Sequence, residues 1–156
     1  AMEVNQPGTY PAISDVVKKS GGVLILCDSL KVRDTGPGED LFAMKLATYV
    51  AQTHGLAVDG NRKRKAGGPA VAIVFTKSDA CPEAKEDPTE FAKNNTPRLV
   101  EFCRQTFQQH EFFAASVAGS SGSLTDMNGR HTQVPFHVEP HGVVEPLQWI
   151  TDHLAA

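Results

Sequence analysis

Three short apolar runs, each ending in a polar tip, organise the chain. Residues 71–75 (Val-Ala-Ile-Val-Phe) follow Gly67-Gly68-Pro69 and turn abruptly into Thr76-Lys77-Ser78-Asp79. A continuous run of that length, rich in β-branched residues, predicts a strand buried on both faces, as in a parallel sheet. Residues 23–27 (Val-Leu-Ile-Leu-Cys) repeat the pattern and end at Asp28-Ser29. Residues 112–116 (Phe-Phe-Ala-Ala-Ser) give a third strand, again closing on a small polar residue.

Helical patterns separate these runs. Residues 11–20 predict a short helix with Pro11 at its start, Ile13, Val16 and Val17 on one face, and Lys18-Lys19 at its end; Gly21-Gly22 stops it. Residues 34–40 read as a turn cluster. From 39 to 52, Leu41, Phe42, Leu46, Tyr49 and Val50 recur at helical spacing, and Gly55 terminates the segment. Residues 57–69 are a polar, glycine-rich loop. Residues 80–95 are rich in proline and charge, which predicts a long loop with at most one short turn.

Thr96 then offers an N-cap and Pro97 a first helical residue, with Leu99, Val100, Cys103 and Phe107 as the inner stripe. Asn128-Gly129 is a hairpin signal, and residues 134–138 fit a short strand. Residues 143–154 predict a closing helix carrying Val144, Leu147, Trp149 and Ile150, with Pro146 confined to its first turn. The plan is α/β in three layers: a mainly parallel sheet of three core strands, a possible late hairpin, and helices on both faces. Residues 11–156 are expected to form one such domain, with residues 1–10 as a polar tail or linker.

Composition narrows the partners more than the fold. The 156 residues carry a formal net charge of -3, so no global attraction to nucleic acid arises. The one basic cluster, residues 61–65, lies beside glycines and reads as a solvated loop. No apolar run approaches the ~20 residues of a membrane span, and no signal-peptide pattern opens the sequence. Cys27, Cys81 and Cys103 are odd in number and widely spaced, which fits a reduced, cytoplasmic setting.

In one parallel sheet with right-handed crossovers, Asp28-Ser29, Thr76-Lys77-Ser78-Asp79 and residues 116–119 all reach the same edge, where α/β proteins gather ligands. Asp79 could equally cap a turn or a following helix. Two of these tips carry a pair of motifs. Thr-Lys-Ser-Asp resembles the Asn/Thr-Lys-x-Asp element of Ras-like P-loop GTPases, and Ala-Ser-Val-Ala-Gly, one strand later, resembles their Ser-Ala-x element.

That resemblance implies a guanine site built from Thr76, Lys77, Asp79, Ser116, Val117 and Ala118. A carboxylate at Asp79 can accept from both the N1–H and the exocyclic amine of guanine, a pair adenine does not present. The stem of Lys77 would lie along the purine face. Ser116 would steady the loop, and the Val117 N–H would approach guanine O6. Thr76 occupies a position where the family more often has Asn.

The similarity extends to residues 11–28 and 143–154, so it covers nearly the whole chain. It corresponds, however, to only the second half of a GTPase domain. The phosphate cradle Gly-x-x-x-x-Gly-Lys-Ser/Thr needs a Gly-Lys step, and this sequence has none. The Asp-x-x-Gly element that senses the γ-phosphate near magnesium is likewise missing before the first strand. Asp126-Met127-Asn128-Gly129 fits its letters but falls in the expected hairpin.

Phosphoryl transfer depends on positioning phosphates and magnesium. The resemblance therefore implies GTP or GDP, with magnesium in an intact parent domain, no tight nucleotide binding to this chain alone, and no catalytic or metal-binding residue of its own. The expected partner is the remainder of a parent GTPase or another protein.

A second reading makes the chain a non-catalytic interaction module. The run Val23, Leu24, Ile25, Leu26 and Cys27 is apolar on both faces, as for a strand with neighbours on both edges. Without the phosphate-loop strand its edge would be open to self-association or to a substitute strand. Other candidates carry less. His131, His137 and His141 cluster with Glu139 and Glu145, yet solvated histidines explain them. Cys81 has no identifiable base nearby in sequence, and Ser29 sits in no nucleophile elbow.

Overall fold

The computed structural model describes residues 11–56, 68–119, 121–125, 127–135 and 137–154. The expected tail, the basic cluster and most of the glycine-rich loop lie outside these residues.

Strands β1 (Gly22–Asp28), β2 (Ala70–Thr76) and β3 (His110–Ala114) form a parallel sheet in the order β1-β2-β3. The register aligns Asp28 with Thr76 and Phe75 with Ala114, so all three strands end along one line. Central β2 is buried on both faces through Phe75, as its unbroken apolar sequence requires.

On one face Ile25, Cys27, Val71, Ile73, Phe75 and Phe112 meet helices α3 (Pro37–Thr53), α5 (Pro88–Asn95) and α6 (Pro97–Thr106). Phe75 packs edge-on against Phe91 at 5.0 Å between ring centroids. The opposite face carries the closing helix α7 (Glu145–Leu154), whose Trp149 lies against Phe113 at 5.9 Å. Gly21-Gly22, which follow the first helix, α1 (Pro11–Lys19), also let α7 approach: a Cβ at either position would run into Leu154 or Ile150. The fold is thus three-layered α/β.

Three expectations need correction. The turn cluster at 34–40 is mostly helical. Asp28 caps α2 (Ser29–Thr35) by accepting from the backbone N–H groups of Leu30 and Lys31, and α3 starts at Pro37. Only Gly36, at φ 54°, breaks the two helices apart. Residues 80–95 are helical too. A 3₁₀ turn, Ser78–Ala80, leads into α4 (Pro82–Glu86) and then α5, and each of these helices opens on a proline. Proline at the first helical position starts a helix as readily as it breaks one further along, and Asp87 caps α5 at Glu90.

The third correction concerns which side of α3 is buried. Ala43, Ala47, Val50 and Ala51 face the core, whereas Leu41 and Phe42 are exposed. Small side chains let α3 lie close to the sheet and to α6, so the alanine face wins over the larger residues.

The N-terminus of α6 is held differently from the local expectation. Thr96 occupies the cap position, but its hydroxyl donates back to the Ala92 carbonyl at 3.0 Å. The buried carboxylate of Asp40 on α3 accepts instead from Arg98 N and Leu99 N, at 3.2 and 3.0 Å. A distant acid thereby does the work of an N-cap.

Beyond β3 the chain makes two small antiparallel pairs, where the sequence suggested one hairpin and a short strand at 134–138. β4 (Ser116–Ala118) pairs with β7 (Val138–His141), and β5 (Ser121–Thr125) pairs with β6 (His131–Pro135). The second pair is the hairpin signalled by Asn128-Gly129, with Gly129 at φ 76°. Ser116 therefore begins β4, and is not the last residue of the parallel strand.

Candidate functional site

The parallel register fixes where the strand tips meet. Thr76 Oγ1 donates to the Cys27 carbonyl at 3.2 Å, which ties the end of β2 to the end of β1. Lys77 then adopts left-handed backbone angles (φ 59°, ψ 34°), the one non-glycine residue to do so among those described. That conformation turns the chain sharply from strand into 3₁₀ turn. Two hydrogen bonds from other strand tips hold it: Ser29 Oγ donates to the Lys77 carbonyl at 3.3 Å, and Ser78 N donates to Ala115 O at 3.3 Å. All three strand tips thus brace one loop.

A cavity of about 610 Å³ opens beside this loop. Thr76, Lys77, Asp79, Ser116, Val117 and Ala118 all line it, so every residue singled out from the two motifs reaches one space. The volume lies within the range of small-molecule pockets. The floor is Leu24, Leu26 and Val74 of the sheet; Gly142, Val143, Pro146 and Leu147, at and before the start of α7, form a wall. Gly142 holds φ 64°, and any Cβ there would collide with the Ala114 carbonyl oxygen. A glycine is what allows the segment entering α7 to press against the end of β3.

Ser116 is buried, Asp79 half-buried, and Val117 is 62% exposed at the mouth. Among the described residues no group hydrogen-bonds the Asp79 carboxylate, which leaves its oxygens available to a ligand. Ser78, between Lys77 and Asp79, is fully buried, and its hydroxyl has no partner.

The strongest polar contact at the site was not legible from the motifs. Lys77 Nζ pairs with Asp28 Oδ2 at 2.6 Å, from the tip of the neighbouring strand. Partial burial alone would push the Asp28 carboxyl up. The hydrogen bond from Lys77, the backbone N–H of Lys31, the Lys77 charge and the backbone N–H of Leu30 outweigh it, holding the carboxyl below its ordinary value. The signal for it was the polar tip at Asp28, which parallel pairing sets beside Thr76. The contribution of Val143, Pro146 and Leu147 had no such signal, because their sequence reads only as the start of an amphipathic helix.

The remaining candidates do not assemble a second site. Among the described residues no group of three or more His, Cys, Asp or Glu side chains is placed to hold a metal ion. His131 Nδ1 lies 2.9 Å from Thr125 Oγ1, and His137 Nε2 lies 2.9 Å from Glu139 Oε2, all four residues being exposed. The three cysteines are buried and unbonded to one another. Burial, with smaller contributions from Glu39 at Cys27 and from Cys27 at Cys103, pushes both of those thiols up to about 12, far from thiolate chemistry at neutral pH. No helix of the described residues is long and apolar enough to cross a membrane.

Compared with known protein families, curated proteins and solved structures, the chain matches none.

Proposed function

We propose that this chain is the guanine-recognition half of a Ras-like, P-loop GTPase-type domain, not hydrolytic by itself. The observation that carries the reading is the convergence of Thr76, Lys77, Asp79, Ser116, Val117 and Ala118 on one cavity at the carboxyl edge of a parallel sheet. Asp79 would accept from the N1–H and the amine of guanine, the Lys77 stem would cover one face of the ring, and the loop at Val117 would close over O6.

The layer that covers the rest of the sheet also favours a half domain. Strands lie ~4.8 Å apart and packed helices ~10 Å apart, so one helix covers about two strands. Helix α7 lies over β2, reaching Phe113 of β3 through Trp149 and the start of β1 through Ile150, while Leu24 and Leu26 stay 39% and 61% exposed. Among the described residues β1 pairs only with β2. A parent's phosphate-binding half would supply a further strand at that edge and a helix over those leucines; GTP or GDP and magnesium would be held there.

NMR titration of the chain with guanosine and with adenosine tests the base assignment. Guanosine should shift resonances of the Asp79 and Val117 loops at lower concentration than adenosine does, and Asp79→Ala should abolish the difference. Equal responses to the two nucleosides sink the assignment. Calorimetry with GDP should show no tight complex, and nanomolar affinity would contradict the missing phosphate cradle.

The bare edge supports a second reading, a non-catalytic module that docks or self-associates through Val23, Leu24, Ile25, Leu26 and Cys27. Among the described residues β1 has a neighbour on one edge only, and its face towards α7 is also open, at Leu24 and Leu26. Sedimentation should then reveal a dimer that Leu26→Lys disperses. A chain that stays monomeric at high concentration counts against self-association.

A further inference from the structure

We infer that the cavity takes the uncharged nucleoside in preference to its phosphorylated forms, an inference that rests on the base reading above and adds a ligand class to it. The charges around the mouth carry it. Among the described residues Lys77 is the only cationic side chain lining the cavity, and Asp28 already engages it at 2.6 Å. Asp79 contributes a further negative charge, and among the described residues no cation pairs with it. The first turn of α7 would offer a partial positive charge, but Glu145 stands there and its carboxylate accepts from Val144 N. The sum over Asp28, Lys77 and Asp79 is one negative charge.

The remaining walls are Leu24, Leu26, Val74, Val143 and Leu147. They offer a purine ring contact area and offer a phosphate nothing. A phosphate that reached for Lys77 would have to approach the Asp28 carboxylate as well, because the two side chains touch. At a separation of ~10 Å in a water-like medium, each phosphate charge facing one net negative charge weakens binding about twofold, so GDP should bind roughly eightfold worse than guanosine at low salt. Screening should remove most of that gap by roughly 0.5 M salt. Asp28→Asn keeps a cap for α2, since Asn also accepts there. It releases Lys77 and cancels the net charge, so GDP should rise to parity with guanosine or above it.

The experiment is a titration of the full chain and its Asp28→Asn variant with guanosine, adenosine and GDP, followed by NMR at low and high salt, with every ligand taken up to the solubility of guanosine. Guanosine ahead of both adenosine and GDP, with the GDP deficit closing on added salt and in Asp28→Asn, is the expected result. If guanosine exceeds adenosine but GDP binds as well as or better than guanosine in the unaltered chain, this inference fails and the base reading stands. If guanosine and adenosine behave alike, or neither shifts any resonance, the base reading itself fails and takes this inference with it. A GDP deficit unchanged in Asp28→Asn also overturns the electrostatic account, and circular dichroism of that variant confirms that it is folded when the comparison is made.

Discussion

Lys77 holds a backbone conformation that its side chain does not favour, and the cost can be isolated by substitution. At φ 59° and ψ 34° an L-residue pays a steric penalty of ~1–2 kcal/mol that glycine escapes. Glycine loses ~0.5–1 kcal/mol of that advantage through the extra freedom of its unfolded chain. Both Lys77→Gly and Lys77→Ala remove the ion pair with Asp28. Because the lysine side chain is 59% exposed, that loss is ~0–1 kcal/mol and is common to the two variants.

Lys77→Gly should therefore be more stable than Lys77→Ala by ~0.5–1 kcal/mol, and close to the unaltered chain. Urea unfolding followed by fluorescence of Trp149 reads this as a difference in midpoint of roughly 0.3–0.5 M for a slope of ~2 kcal/mol/M. Both variants should lose the nucleoside response, because both lose the stem that covers the ring. Strain retained in a residue whose removal costs binding but little stability is the mark of a functional turn. If Lys77→Ala is as stable as Lys77→Gly, the left-handed turn does not exist in solution and the geometry built on it is wrong.

Two further outcomes follow from the same hydrogen bonds and charges. Asp40→Ala leaves the backbone N–H groups of Arg98 and Leu99 without their acceptor and should cost ~2–4 kcal/mol. Thr96→Ala at the conventional cap position should cost only ~1 kcal/mol, and urea titration showing the reverse order would mean that α6 is capped locally. The Asp28 carboxyl is held below its ordinary value, so its stabilising contribution is complete above about pH 4 and is lost as pH falls through the folded-state value. The stability gap between the unaltered chain and Asp28→Asn should shrink on acidification, and a gap that widens below about pH 4 would contradict the sign.

Fold class was legible from the three apolar runs because a strand buried on both faces must be apolar at every position, whatever surrounds it. Residues 71–75 satisfy that rule, and β2 is the central strand. The motif residues were legible for a related reason: a polar tip after such a run has to emerge at the sheet edge. Local grammar failed where a distant partner decided the outcome. Asp40, and not Thr96, caps α6, because α3 happens to deliver a carboxylate to those N–H groups. Residues 80–95 look like loop by composition, yet proline at first helical positions and the Asp87 cap make them helical.

The sequence alone determined that apolar strands alternate with helices and that polar residues follow each strand, since each depends on neighbours a few positions away. Only the tertiary structure decided that Asp28 engages Lys77, that Leu24 and Leu26 stand bare, and that the start of α7 walls the cavity. These rest on parallel register and on which helix covers which strand. Contacts between segments far apart in the chain leave no period in the sequence to read.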